Sequence, residues 1–430
     1  MSWQRPGFKL KKEVCMSIKI EQVQFQNNIV DVAIQGNRIA RIAPQLSGEF
    51  EQTIDGRGKL LTAAFYNTHC HAAMTLLRGI ADNLELFDWL NNYIWPAEAK
   101  LTREAVYIGS KLAILEMIKS GTVFFNDMYF MPQETVRAVE EMGVRAAIGM
   151  IAIDTTTADK RAQYARDCQE LWEKRRDFSD RIQLTLAPHA IYTVGEKALR
   201  NIAERAASDN LIIHTHLAET LREVEECQAL HHLSPVAYLD KLNLLNERTL
   251  AAHAVHLSDE DIELLKAKKV TVAYNPCSNY KLSSGRFRFR SLADRGVRIT
   301  FGTDGCASND NLSMFDEMKF GSLGAKNEQN SSTACSAGEI LQCASQHGAE
   351  AFGIDAGVIA EGKLADMLLI DLDVPCMVAD HDLVSNLVYA ADSSCVDTVI
   401  CNGRILMQNR IVPGEKEIIA QARKLCRTLR

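Results

Sequence analysis

The chain predicts an α/β protein: a closed (β/α)₈, TIM-like barrel with a small β-sandwich domain built from both termini. Three observations carry this. Across the middle of the chain, short near-continuous apolar runs alternate with amphipathic helical stretches, the pattern of strands buried on both faces of a parallel sheet. Eight such strand–helix units over about 300 residues match a closed barrel in size. The two ends instead alternate polar and apolar residues, with Gly and Asn at the turns, as antiparallel strands do.

In chain order, residues 18–59 show the alternating pattern first. The eight barrel strands follow: LLTAAFYN (60–67), TVFFNDM (122–128), RAAIGMI (145–151), IQLTLAPH (182–189), LIIHTHL (211–217), TLAAHAV (249–255), VTVAYNP (270–276) and VRITFGTD (297–304). Helical stretches such as 103–121 and 258–269 lie between them. GKLADMLLIDLD (362–373) and VDTVICNGRILMQNR (396–410) return to the alternating pattern. The predicted organisation is a disordered extension over 1–17, a β domain from 18–60 plus 361–430, and the barrel over 61–360. A doubly wound open sheet is the competing topology, but no G-x-G-x-x-G turn follows the first strand.

Composition narrows the function class. With 47% hydrophobic and 24% charged residues, the 430-residue chain is an ordinary globular one. A net charge of −7 argues against a nucleic-acid or anionic-membrane partner. No apolar run approaches the ~20 residues of a membrane span. The start, MSWQRPGFKLKKEVCMSIKI, is basic but lacks the apolar core of a secretory signal, and Met16 is an alternative start. Twelve scattered cysteines without a C-x-x-C read as reduced thiols of a cytoplasmic protein.

Active sites of such barrels form at the C-terminal ends of the strands. The first run leads into His69-Cys70-His71, the fourth ends in His189, and the fifth carries His214 and His216 with Glu219 just beyond. The sixth carries His253 with His256 close behind, and the eighth ends in Asp304. Seven of the chain's 11 histidines are in this set. Taken singly, each has a plainer reading: an H-x-H pair is more often structural, His214 and His256 fit a supporting role, and an Asp before a helix is a common N-cap. Taken together, histidines and an aspartate at one barrel end make a plausible set of three nitrogens and one oxygen for Zn²⁺ or Fe²⁺.

The motifs NTHCH, HLAE, AAH and GTDG, in this order, resemble the amidohydrolase superfamily. The longer segments NTHCHAAMTLLRGIADNLELFDWL, NPCSNYKL and GTDGCASNDNLSMFDEM are similar to its aminohydrolase branch, which includes methylthioadenosine/S-adenosylhomocysteine deaminases, guanine deaminases and triazine hydrolases. The resemblance implies one divalent metal, zinc before iron, held by His69, His71, His216 and Asp304. It implies that Glu219 shuttles protons, that His253 steadies the attacking water and the forming oxygen, and that Asp304 takes the water's proton. Binuclear relatives carry a carboxylated lysine on strand 4; LAPHA has none, so His189 faces the substrate instead. Cys70 alternates with its histidine neighbours and should point away from the metal. A homodimer or homotetramer is the oligomer the family favours.

On the same resemblance, Trp89 forms part of the pocket wall and Glu98 accepts hydrogen bonds from a ribose diol. Relatives that take S-adenosylhomocysteine have an arginine at the end of strand 3, where this chain is expected to place Met150, with Lys160 and Arg161 following. An unpaired buried carboxylate is costly, so a neutral 5′ group is favoured, as in methylthioadenosine, 5′-deoxyadenosine or adenosine. Arg286, Arg288 and Arg290 alternate with Phe287 and Phe289, and on an extended strand they would offer one cationic face to an anionic tail. Ala63-Ala64 replaces a common Pro-Gly, and Tyr274 stands where a histidine often precedes Asn-Pro. The alternatives are deamination of a free guanine- or pterin-like base, a triazine-type hydrolase, or a non-catalytic scaffold resembling dihydropyrimidinase relatives. The scaffold requires lost ligands, and none is lost here.

Overall fold

The structure is a computed structural model that describes residues 17–84 and 86–429. The expected N-terminal extension lies outside the described residues apart from Ser17, which opens the first strand.

Strands β1 (Ser17–Phe25), β2 (Asn28–Gln35), β3 (Arg38–Ala43), β4 (Gln52–Asp55) and β5 (Lys59–Ala63) come from the first part of the chain. The central strands are β6 (Phe65–His71), β7 (Thr122–Asp127), β8 (Arg145–Ala152), β9 (Ile182–Pro188), β10 (Ile212–Leu217), β11 (Thr249–His253), β12 (Thr271–Tyr274), β13 (Arg298–Phe301) and β14 (Asp304–Gly305). Last come β15 (Met367–Asp371), β16 (Val396–Cys401) and β17 (Arg404–Met407).

The central strands form one parallel sheet in the order β13-β12-β11-β10-β9-β8-β7-β6-β14. β13 and β14 are two pieces of a single strand, parted by Gly302 and Thr303. The first piece pairs with β12 and the second with β6, so eight strands close into a barrel. Helices such as Arg103–Lys119 and Ala158–Lys174 connect them, their first turns capped by the Thr102 and Thr157 hydroxyls.

The other strands form a second sheet from both ends of the chain, β17-β16-β15-β5-β1-β2-β3, with β4 beside β1. Alternation divides its two faces. Leu61, Met367, Leu369 and Ile400 pack with Ile18, Ile20, Val32 and Ile34 into a separate apolar cluster. Their neighbours Leu60, Leu368, Ile370 and Val399 belong to the main core shared with the barrel. One sheet thus encloses a core of its own with one face and seals the barrel with the other.

One strand assignment needs correction. The run 60–67 is not a single strand: the chain leaves the terminal sheet after Ala63 and enters the barrel at Phe65. A continuous apolar run hides the crossing because both pieces are buried. Among the described residues, no helix is long and apolar enough to cross a membrane.

A buried charge joins the two sheets. Asp366, just before β15, accepts from Arg145 Nε of β8 at 2.8 Å, from the Tyr66 hydroxyl of β6 at 2.6 Å and from the Asn402 backbone N–H at 2.6 Å. Removing one partner of a buried ion pair strands the other charge. Asp366→Ala is expected to cost about 3–5 kcal/mol in urea unfolding, and an unchanged midpoint would refute that role.

Candidate active site

The C-terminal ends of the barrel strands place their polar side chains around one cavity. His69 and His71 end β6, His216 lies on β10, and Asp304 opens β14. One ligand atom from each of these four lies within 4.8 Å of all the others, and all four residues are buried. His71 Nε2 and His69 Nε2 stand 3.2 and 3.4 Å from Asp304 Oδ1.

The imidazoles are oriented from behind. His71 Nδ1 donates to the Met128 carbonyl at 2.6 Å, and His216 Nδ1 donates to the His189 carbonyl at 2.7 Å. A carbonyl can only accept, so in the neutral form each ring carries its proton on Nδ1 and turns its Nε2 lone pair to the cluster. His69 Nδ1 meets His214 Nε2 at 2.8 Å, and its own Nε2 is buried without a hydrogen-bond partner. Asp304 is held by two hydroxyls, Ser278 Oγ and Ser308 Oγ, each donating to Oδ2 at 2.7 Å. An orphaned ring nitrogen aimed at two imidazoles and a fixed carboxylate is a donor set that fits one divalent cation.

Electrostatics agree. Burial lowers His69 to about 4 and His253 to about 4, keeping both rings neutral. Burial also opposes charge on His71, but its contact with Asp304 outweighs that and lifts it to about 9. A cation entering the cluster displaces that proton, the usual coupling of metal binding to pH.

Glu219 follows the end of β10 after a left-handed turn at Ala218 (φ 49°). The Glu223 carboxylate holds that turn, accepting from the Ala218 and Glu219 backbone N–H groups at 2.8 and 2.9 Å. Burial pushes the Glu219 carboxyl up to about 8, and the Asp304 charge adds to the rise. Ser284 Oγ donates to Glu219 Oε1 at 3.3 Å, and His253 Nε2 lies 3.8 Å from Oε2.

His71, His216, Glu219, His253 and Asp304 line a cavity of about 80 Å³ together with Trp89, Glu98 and His189. Across a wall shared by Glu98, Tyr129, Phe130, Ile153 and His189 lies a chamber of about 620 Å³. Trp89 and Glu98 reach the cavity from a segment of short helices, Leu86–Trp89 and Trp95–Glu98, joined by a π-turn over Leu90–Ile94. Burial raises Glu98 to about 7; the Tyr129 hydroxyl faces it without a closed hydrogen bond. Cys70, between the two histidines, packs into the main core.

Two expectations fail. Met150 does not face the substrate: it packs in the main core, its sulfur 4.0 Å from Arg205 Nη2, while Ile151 and Ile153 line the cavity. Arg286, Arg288 and Arg290 do not form a cationic face at the barrel mouth. A helix, Phe289–Asp294, begins inside that stretch, and Phe287 is fixed by stacking on Tyr274 with ring centroids 3.9 Å apart. Arg288 pairs with Asp259 at 2.6 Å and Arg290 with Glu339 at 3.0 Å, while exposed Arg286 lines neither cavity. Tyr274 likewise turns away, its hydroxyl 3.0 Å from that of Tyr280.

Ser278 and Ser308, which hold Asp304, Asn279, which meets His253, and Ser284, which donates to Glu219, are not singled out from sequence. Ser278 and Asn279 belong to NPCSNYKL and Ser308 to GTDGCASND, while Ser284 lies outside both segments. His69→Ala is expected to leave the purified protein with far less than one metal per chain by elemental analysis, and full occupancy would remove His69 from the cluster.

Comparison with known proteins accords with this geometry. The model of the Amidohydrolase family matches residues 60–406. The chain is 47% identical over 385 residues to a 5′-deoxyadenosine deaminase of Methanospirillum hungatei, covering 89% of this chain and 86% of that one. It is 41% identical over 418 residues to 5-methylthioadenosine/S-adenosylhomocysteine deaminase 1 of Archaeoglobus fulgidus, covering 96% and 98%. A crystal structure of a Xanthomonas campestris adenosine deaminase with bound zinc superposes with a TM-score of 0.90 at 32% identity, covering 96% and 98%. With its barrel, its His-His-His-Asp cluster and these relatives, the chain belongs to the amidohydrolase family.

Proposed function

We propose that this protein is a metal-dependent hydrolytic deaminase that releases ammonia from a purine nucleoside with a neutral 5′ group: 5′-deoxyadenosine, 5′-methylthioadenosine or adenosine. The observation that carries it is one cavity lined both by members of the metal-binding cluster with Glu219 and by the carboxyl-bearing Glu98. The relatives named for 5′-deoxyadenosine and methylthioadenosine deamination support the same reading. We take the cation to be one divalent ion, zinc, the metal bound in the Xanthomonas campestris neighbour, and assign the chemistry to the barrel.

When bound, such a cation acts as a Lewis acid and lowers the pKa of water from ~15.7 toward ~7. Glu219, held protonated by burial, donates to a ring nitrogen beside the amine-bearing carbon and makes that carbon electrophilic. Asp304, with Oδ2 fixed by two serines, turns Oδ1 toward the cluster, where it would accept the proton of the attacking water. His253 presents an N–H where negative charge develops on oxygen. Glu219 or Asp304 then returns a proton to the departing ammonia.

Glu98 is suited to a ribose, because a carboxylate accepts from two vicinal hydroxyls at once. The neighbouring chamber is lined mainly by uncharged side chains, among them Phe130, Met131, Ile153 and Tyr164, with Lys160 also on its wall. Arg161 is spent on the Asp154 and Thr156 carbonyls. That lining suits an uncharged 5′ substituent better than an amino-acid tail.

Ammonia release from 5′-deoxyadenosine, methylthioadenosine and adenosine should exceed that from S-adenosylhomocysteine, guanine or isoxanthopterin, and a chlorotriazine should release no chloride. Turnover of free bases alone would overturn the nucleoside reading. Glu219→Gln should keep the metal and lose about 10²–10⁴-fold in kcat; wild-type turnover would end the proton-shuttle role. Glu98→Ala should raise KM about tenfold or more for nucleosides, the worth of hydrogen bonds to a charged group, while sparing free bases; equal effects on both would remove Glu98 from the sugar.

A further inference from the structure

Outside the residues assigned above, one buried contact governs what His253 can do. His253 and Asn279 are each 1% exposed, and the Asn279 side-chain amide meets His253 Nδ1 at 2.8 Å. A neutral imidazole carries one N–H and one lone pair, so whatever faces Nδ1 decides what Nε2 offers.

We propose that Asn279 is a positioning residue whose carboxamide donates to His253 Nδ1 and thereby keeps the ring proton on Nε2, facing the reaction. This rests on the deaminase reading for its consequence, though not for its geometry.

The orientation of the amide follows from its surroundings. With the NH₂ toward Nδ1, the one group left without a partner is the carbonyl oxygen Oδ1. Turned over, the amide would offer Oδ1 to an Nδ1–H and point its NH₂ into the place where Oδ1 now stands without a hydrogen-bond partner. Buried donors without partners are rarer and costlier than under-satisfied carbonyls. The amide therefore donates, Nδ1 accepts, and the proton sits on Nε2. That nitrogen lines the catalytic cavity, 3.8 Å from Glu219 Oε2.

Asn279 is also well placed to hold this geometry. Its backbone N–H donates to the Asn275 carbonyl at 2.9 Å, within a short helix, Pro276–Lys281, that begins directly at the end of β12. Its carbonyl accepts from the Ser284 N–H at 2.9 Å, and Ser284 Oγ in turn donates to Glu219. Its neighbour Ser278 holds Asp304. One turn of chain thus sets the tautomer of His253 and the placement of the two carboxyl groups beside it.

The test is a long-range ¹⁵N–¹H spectrum of the zinc-loaded, ¹⁵N-histidine-labelled full chain without substrate, with His253 assigned through His253→Gln. The wild type should show the proton of His253 on Nε2. Asn279→Asp keeps the shape but can only accept, so it should place a proton on Nδ1. Asn279→Leu fixes neither nitrogen and should give a mixture of tautomers. Both should retain zinc and lose about 10²-fold or more in kcat, the effect of losing one donor to developing charge, with KM nearly unchanged. A wild-type ring protonated on Nδ1 would overturn the proposal. So would an Asn279→Leu protein that keeps both the Nε2 proton and full kcat. Should no purine nucleoside be turned over, the spectra still decide the role of Asn279, and only the deaminase reading falls.

Discussion

The seam between β6 and β14 pairs Asp304 with Cys70 and Gly305 with His71 in parallel register, and these two short pieces carry three of the four residues of the metal-binding cluster. Closing the barrel and building the site are therefore one event. The approach is close: a Cβ on Gly302 would lie 2.4 Å from Asn275 Oδ1 and 2.7 Å from His69 Cβ. Only glycine lets the last strand come that near the first. Asn67 then staples the gap, accepting from the Thr303 N–H at 3.0 Å and donating to its hydroxyl at 2.7 Å. Past this point Asp304 adopts φ 60° and His253, two strands away, φ 70°. Non-glycine residues hold such conformations at a cost, and here the closed barrel imposes them on groups that must project inward.

Burial around the seam decides the charge of each group. Neutral imidazoles tolerate a buried site well, and His69, His189 and His253 are all driven down in pKa by it. Carboxyls are driven the other way, as with Glu219 and Glu98, unless donors surround them. Asp304 is the exception: burial would raise it, but the facing His69 and His71 imidazoles hold it well below the usual range. Two carboxyl groups in one small cavity are thus pushed apart, one kept ionised and one kept protonated. That division supplies an acid and a base side by side near neutral pH.

Much of this was legible from the sequence because each reactive side chain sits at or just past the end of a strand. His69, His71, His216, Glu219, His253 and Asp304 could be picked out by asking what each apolar run leads into. Failures came where that rule gives out. Met150 was misplaced by one residue of alternation, and a single step of parity moves a side chain from the lumen to the helix layer. The Phe287–Phe289 alternation resembles a strand, but the aromatic rings are anchored in the core, and Arg288 and Arg290 pair with acids on neighbouring helices. The supporting hydrogen bonds were invisible for another reason. Ser278 and Asp304 are 26 residues apart, as are Asn279 and His253, and no local pattern links such positions.

Chemistry and recognition are anchored differently, and this bears on how the site can accommodate different substrates. The metal-binding cluster stands on strands whose hydrogen bonds close around the barrel, so its geometry cannot shift without opening the seam. Trp89 and Glu98 instead ride on an irregular segment containing a π-turn, a conformation that recurs at functional sites. That segment is held to the barrel rim by side-chain contacts, with Phe87 6.0 Å from the Tyr192 ring and 4.1 Å beneath the Arg222 guanidinium. The chamber beyond Glu98 is walled partly by the loop after β8, through Ile153 and Thr155–Thr157. Changes in these loops alter what is held near the cluster without altering the cluster itself. A family sharing one reaction can therefore differ in substrate at positions that leave every group on the seam untouched.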